Sequence, residues 1–183
     1  SIFVQHFYNL APSQYNLNGS NYSNEFNGFY SQSLKDLQTI INQGTASGSR
    51  GYIGIAKVMK AYLFMVTVDT WGDVPFTEAL QRQTITSPKY DDDAFIYDQL
   101  LVLLTEAKAD LNAAVTANEP KIASDLVYGS AANATTQFTR WIKAANTIML
   151  RLYLNISKVD EDGATAGINA LITENNFISS NPE

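Results

Sequence analysis

Two neighbouring stretches decide the fold. They are Ala56-Lys57-Val58-Met59-Lys60-Ala61-Tyr62-Leu63-Phe64 and, after a gap of four residues, Asp69-Thr70-Trp71-Gly72-Asp73-Val74-Pro75-Phe76. The first belongs to a pattern beginning near Arg50, in which Ile55, Met59, Tyr62, Leu63 and Val66 recur at three- and four-residue steps and so share one helical face. The second stops that helix. Gly72 can supply the left-handed residue past the last turn, and Pro75 cannot continue a helix. The spacing therefore predicts a helix over 50–71 and an extended connector over 72–90.

Working outward, Phe26, Phe29, Tyr30, Leu34, Leu37, Ile40 and Ile41 mark an earlier helix that starts near Asn24, with Gly44 to Ser49 read as its closing turn. Downstream, Asp91-Asp92-Asp93 suits the positive end of a third helix, because carboxylates cap orphan amides and complement the macrodipole. Its stripe is Tyr97, Leu100, Leu101, Leu104, Ala107 and Leu111. A polar loop over 115–135 leads to a fourth helix over 136–158, with Trp141, Ala145, Ile148, Leu152 and Ile156 on one side, and a short fifth helix spans 163–174. No window alternates as a half-buried strand does. The chain is expected to be all-α, with antiparallel helical hairpins in a tetratricopeptide-like arrangement. No fixed 34-residue period is present, so the superhelix is degenerate rather than regular. The expected organisation is one domain: an irregular lead-in over 1–23, rich in Asn and aromatics, helical repeats over 24–175, and a tail over 176–183.

Composition narrows the chemistry. The 183 residues are 45% hydrophobic and 16% charged, which argues for a packed core and against disorder. The net charge of −6 opposes a nucleic-acid surface, which needs clustered Lys and Arg. Acids concentrate late: residues 1–90 hold five against six bases, and 91–183 hold thirteen against six. A solvated acidic face is the plain explanation. With no Cys, thiol catalysis, disulfide frameworks and Cys-ligated metals are excluded. The one histidine, His6, has no acid near it in sequence and reads as a surface or packing residue rather than a general base. Oxygen-ligand sites could draw on Asp91, Asp92 and Asp93 or on Asp160, Glu161 and Asp162, but capping explains both runs, and the second lacks the spacing of an EF-hand loop. Glycines 44, 48, 51 and 54 follow no strand and precede no Gly-Lys-Ser/Thr, so they are not a phosphate cradle. Neither a cofactor nor a metal is expected.

One mixture does point to a ligand. Sugar rings offer flat C–H faces to aromatics and hydroxyls to amides, and Tyr15, Asn18 and Tyr22, with Tyr8 nearby, combine the two in the lead-in. Packing of the lead-in onto the first helix is the competing explanation.

The blocks at 56–64 and 69–76 resemble the SusD/RagB family of outer-membrane lipoproteins, where a helix ends in an aspartate and a Tyr/Trp-Gly-Asp-Val-Pro-aromatic turn. Further landmarks follow in the family's order: Tyr90-Asp91 ahead of Tyr97, Leu104, Ala107 and Leu111; Asp125-Leu126-Val127-Tyr128-Gly129; and Trp141 with Asn146, then Leu150-Arg151-Leu152. The resemblance spans roughly 22–175. It implies a non-enzymatic, surface-exposed glycan- or nutrient-binding subunit at the bacterial outer membrane, partnered by a SusC-like TonB-dependent transporter and held to the membrane only through an N-terminal lipid anchor absent from this chain. It also implies that the chain is the N-terminal portion of a longer protein. Alternatives are a helical protein-interaction scaffold without its own sugar site and, more remotely, an α-helical glycoside hydrolase. Asp69, Trp71, Gly72, Asp73, Pro75, Trp141, Asn146 and Arg151 are then structural landmarks. Asp73 is expected to cap local amides, and Arg151 to be half-buried with Asp69 or Asp73 as its partner, because an unpaired buried guanidinium is costly.

Overall fold

The computed structural model describes residues 23–81 and 84–179. The first helix is one continuous run of three segments: α1 (Ser23–Gly28), a π-helical segment (Phe29–Leu34) and α2 (Lys35–Ser47). In the π segment the Tyr30 hydroxyl donates to the Pro75 carbonyl at 2.7 Å, which ties this helix to the exit of the next one. The run does not end in a turn at Gly44, as the glycine suggests. Helix continues to Ser47, the Thr45 and Ser47 hydroxyls bond back to the Ile41 and Gly44 carbonyls, and Gly48 at φ +74° closes it. Gly44 is there for packing: a Cβ would stand 2.7 Å from Ile53 Cγ1.

Helix α3 (Arg50–Trp71) is the central element, packed by α2 on one side and by α4 (Asp93–Thr116) and α5 (Ala134–Ile156) on others. The stripe read from sequence is not its buried face. Met59 and Tyr62 are exposed, whereas Ala56, Val58, Ala61, Phe64, Met65 and Val68 are buried. A helix apolar on nearly every side carries no periodic signal saying which side faces in. The same apolarity gives α3 the length and hydropathy of a membrane span, but most of that window is buried against its neighbours, and core packing accounts for it. Contact with α4 is close enough that a Cβ on Gly54 would meet Leu111 Cγ at 2.6 Å and the Ala107 carbonyl at 3.1 Å.

Helix α4 starts two residues after the aspartate run begins. Asp92 is its cap, accepting from the Phe95 amide, and Asp91 instead lies buried in the connector, where its amide donates to the Val74 carbonyl at 3.0 Å. That antiparallel bridge is the only strand-like pairing among the described residues. Helix α5 is capped by Asn133 through the Thr136 amide, so it begins at Ala134 rather than 136, and it ends at Ile156 rather than 158. Helix α6 (Glu161–Glu174) is capped by Asp160. Beyond it the expected tail is tethered: Phe177 packs on the core, and the Ile178 amide donates to Thr147 Oγ1 at 3.2 Å. The all-α, hairpin architecture expected from the sequence is the one observed, with Phe64, Leu100, Leu104, Leu111, Phe138 and Leu152 at the centre of one core.

Replacing Gly54 with Ala sets two effects against each other. Helix propensity favours Ala by about 1 kcal/mol. Overpacking against α4 costs about 1–3 kcal/mol. A lower Tm for Gly54→Ala by thermal circular dichroism is expected; an unchanged or higher Tm would mean that α3 and α4 are less closely packed than described.

Candidate functional site

The polar landmarks converge on two corners. At the α3 exit, Gly72 adopts φ +72°, ψ −128°, a conformation L side chains rarely reach. The connector returns to α4 around the Asp91 carboxylate, which accepts from the Phe76 amide at 3.0 Å, the Thr77 amide at 2.7 Å and the Thr77 hydroxyl, with Lys89 Nζ at 3.3 Å. Burial alone would raise its pKa, but the Thr77 and Phe76 hydrogen bonds and Lys89 outweigh it and hold the carboxyl below its ordinary value. Asp73 does not cap its own turn; it accepts from the Asp93 amide at 3.1 Å and so serves the start of α4. Asp69 accepts a hydrogen bond from the Tyr97 hydroxyl and lies 3.4 Å from Arg151, and Asn155 donates to the Tyr97 oxygen at 3.0 Å. Burial, then Asp69, pushes the Tyr97 hydroxyl up to about 12. The expected Asp69–Arg151 pair is therefore present, and the Arg151 side chain, 55% exposed, is open enough to solvent to limit the pair to about 1 kcal/mol or less. Trp71 is partly buried, edge-on to Phe26 and Phe29 at 5.4 and 5.9 Å.

The second corner is the long loop between α4 and α5. Asp125 accepts from the Val127 and Tyr128 amides at 2.8 and 3.0 Å, from Gln137 Nε2 at 2.9 Å and from Trp141 Nε1 at 2.7 Å. Gln137, fully buried, also bonds both backbone groups of Ile122 at 2.9 Å. Glu119 closes the N-terminus of α3, taking the Arg50 and Gly51 amides at 2.8 Å each. The glycine-rich start of α3 thus does bind an anion, and it is this protein's own carboxylate. At the far end, buried Asn146 donates to Glu174 at 2.8 Å and to the Asn176 carbonyl at 2.9 Å, joining α5 to α6.

Beside the Asp125 corner, against α2 and the first half of α3, lies an apolar groove of about 240 Å³, lined by Leu37, Ile40, Tyr52, Met59, Leu126 and Trp141 among others. Leu126 is fully exposed at its rim. The groove offers a ligand little polar chemistry, since the Asp125 carboxylate is already engaged by four donors. A metal fares no better. The Asp73, Asp92 and Asp93 carboxylates do approach one another, but all three are exposed, Asp73 and Asp92 are occupied as caps, and Asp91 of the sequence-suggested run points elsewhere. Asp160 of the second run caps Gly163 at 3.0 Å. Tyr15, Asn18 and Tyr22, with Tyr8 and His6, lie outside the described residues. Sequence reasoning missed Glu119 and Gln137, which are single polar residues in polar surroundings and carry no motif.

An all-α domain of packed helical hairpins with engaged polar corners belongs to the class of helical-hairpin folds. The family described as starch-binding associating with outer membrane, SusD-like, matches residues 2–183, and the chain belongs to that family. Among solved structures, a chitin-binding protein is 29% identical with a TM-score of 0.71, covering 85% of this chain. A SusD/RagB family protein from Bacteroides thetaiotaomicron is 25% identical with a TM-score of 0.70 and 89% coverage. A Bacteroidetes SusD-like structure, AC2a, is 24% identical with a TM-score of 0.79 and 98% coverage. The chain spans only 31%, 32% and 32% of those three structures, respectively. No curated protein matches it.

Two outcomes follow from the corners. Asp125→Ala leaves the Trp141 and Gln137 donors unpaired, and a loss of about 2–4 kcal/mol in urea unfolding is expected; a loss under about 0.5 kcal/mol would show that the loop is held by something else. For Asp91, the lowered folded-state pKa means that its contribution is complete above the unfolded value near 4 and is lost as the pH falls through the folded value. The Tm difference between the parent and Asp91→Asn should therefore be constant from about pH 5 to 7 and shrink below pH 4. A gap that widens on acidification would contradict the assignment.

Proposed function

We propose that the chain is the N-terminal helical portion of a glycan- or nutrient-binding subunit that works with a SusC-like TonB-dependent transporter, exposed at the bacterial outer membrane and lipid-anchored in the full-length protein. It binds without breaking bonds. The observation that carries this reading is the family match along nearly the whole chain. The family description, and the name of the 29%-identical chitin-binding protein, support a polysaccharide as the ligand class. In this reading Tyr15 and Tyr22 are platforms for sugar faces and Asn18 is a hydroxyl partner. The helical corners supply rigidity. Asp69, Asp91 and Asp125 spend their acceptor capacity on backbone and side-chain donors.

A second reading, a protein-interaction scaffold, is favoured by the groove, whose predominantly apolar lining suits an apolar protein segment. Calorimetric titration with maltoheptaose and chitohexaose separates the two. The first reading predicts measurable binding that falls at least tenfold in Tyr15→Ala/Tyr22→Ala, with Tm shifted by no more than about 2 °C. Equal losses of binding and stability would make the tyrosines core residues. Absence of binding to either sugar, with capture of the transporter by the same chain, would select the scaffold.

A further inference from the structure

Lys57 and Lys60 stand one turn apart on α3 and have opposite surroundings. Lys57 Nζ lies 2.8 Å from Glu106 and 2.9 Å from Asp110, both on α4. Lys60 turns toward α2 and donates to Gln38 Oε1, a neutral acceptor, at 2.7 Å. Gln38 is itself fixed, since its Nε2 donates to Asn42 at 2.8 Å and so presents the carbonyl oxygen to the amine. Beneath the amine, at 5.8 Å, is the ring of the fully buried Phe64. Among the described residues no carboxylate is within ion-pair distance of Lys60. The charged residues of α2, Lys35 and Asp36, are exposed, the π segment carries no charge, and the nearest charge on α3 is the like charge of Lys57.

Lysine heads ordinarily reach for water while their stems cover apolar surface. This head is tucked between two helices with a neutral partner, an arrangement that disfavours an ammonium. A phenyl ring attracts a cation, but 5.8 Å is near the outer limit of about 6 Å, and this ring is already met edge-on by Tyr30 and Phe76. Burial first, then Lys57, brings the Lys60 amine down to about 8. At pH 7.5 roughly a quarter of it is free base, against about one part in a thousand for an ordinary lysine.

We propose that Lys60 is an acylation site, the amine of this domain that takes an acyl group from a small activated donor such as an acyl phosphate. The Nζ lone pair attacks the carbonyl carbon, the N–C bond forms as the C–O bond to phosphate breaks, phosphate leaves with that electron pair, and the surplus nitrogen proton passes to water. The product keeps an N–H to donate to Gln38 and relieves the site of a poorly solvated charge, so the surroundings that free the amine also accept the amide. A lysine paired as Lys57 is has neither property.

The test is competitive acetylation of the whole chain with limiting acetyl phosphate from pH 6 to 11, with occupancy of each lysine read by mass spectrometry. Lys60 is expected to reach half its maximal rate near pH 8, with exposed Lys35 and Lys158 as the comparison. At pH 7.5 Lys60 should lead them by about tenfold, less than the free-base ratio because a weaker base is a weaker nucleophile. Gln38→Glu, whose fold is checked by circular dichroism, gives the amine a counter-charge and should move its half-point above about pH 9.5 and abolish the lead. A Lys60 half-point above pH 10 in the parent, a rate no greater than those of Lys35 and Lys158, or a half-point unmoved in Gln38→Glu would each overturn the proposal.

Discussion

The hairpin of α3 and α4 turns on one buried carboxylate. Twenty-one residues, 72–92, separate the two helices, and beside the Tyr30–Pro75 and Lys89–Glu78 hydrogen bonds it is Asp91 that ties the connector to itself. Asp91 does so by accepting two consecutive amides and a hydroxyl from Phe76 and Thr77, across a chain reversal sealed by the Val74 bridge. Each is a charge-assisted bond in a poorly hydrated place, where such bonds are strongest and their loss is most costly. Everything downstream inherits the register set there: Asp73 reaches the first amide of α4, and Tyr97, one turn into α4, meets Asp69 at the end of α3.

Asp125 repeats the device between α4 and α5, and Glu119 repeats it at the start of α3. Asp91 and Asp125 therefore do in this fold what strand pairing does elsewhere, which is to give the backbone of long loops obligatory partners, and Glu119 does the same for the first amides of α3. This explains why, among the described residues, the buried and half-buried carboxylates Asp91, Glu119 and Asp125 are already engaged. Exposed carboxylates are engaged as well: Asp73, Asp92 and Asp160 accept from amides at helix starts, Glu106 pairs with Lys57, and Asp69 pairs with Arg151. It also explains the unevenness of charge along the chain: Asp91, Asp110, Glu119 and Asp125 all fall in the second half, and each serves a residue in the first half or in its own loop.

How much of this was legible in the sequence depended on whether one residue or several carried the signal. Gly72 and Pro75 announce a helix stop by their own backbone chemistry, and the stop is there. Gly44 carries the same kind of signal but sits inside a helix, because a glycine needed for close approach to Ile53 looks the same in sequence as one needed for a turn. Three consecutive aspartates predict a helix start but not its phase; Asp92 caps α4, and Asp91 holds the connector. The inward side of α3 was misread through Met59 and Tyr62 because apolar residues surround that helix. The groove and the Lys60 environment were illegible for a simpler reason. Their walls come from helices and loops far apart in the chain, and no local pattern encodes Gln38 opposite Lys60 or Leu126 opposite Met59.

Amide hydrogen exchange measures the central claim most directly, because it reads the corners without mutating them. If buried carboxylates organise the loops, the Phe76, Thr77, Val127 and Tyr128 amides will exchange as slowly as those inside α3 and α4, through opening events close to global unfolding. Exchange of those four amides at the rate of the exposed turn residues, with α3 and α4 still protected, would contradict the account.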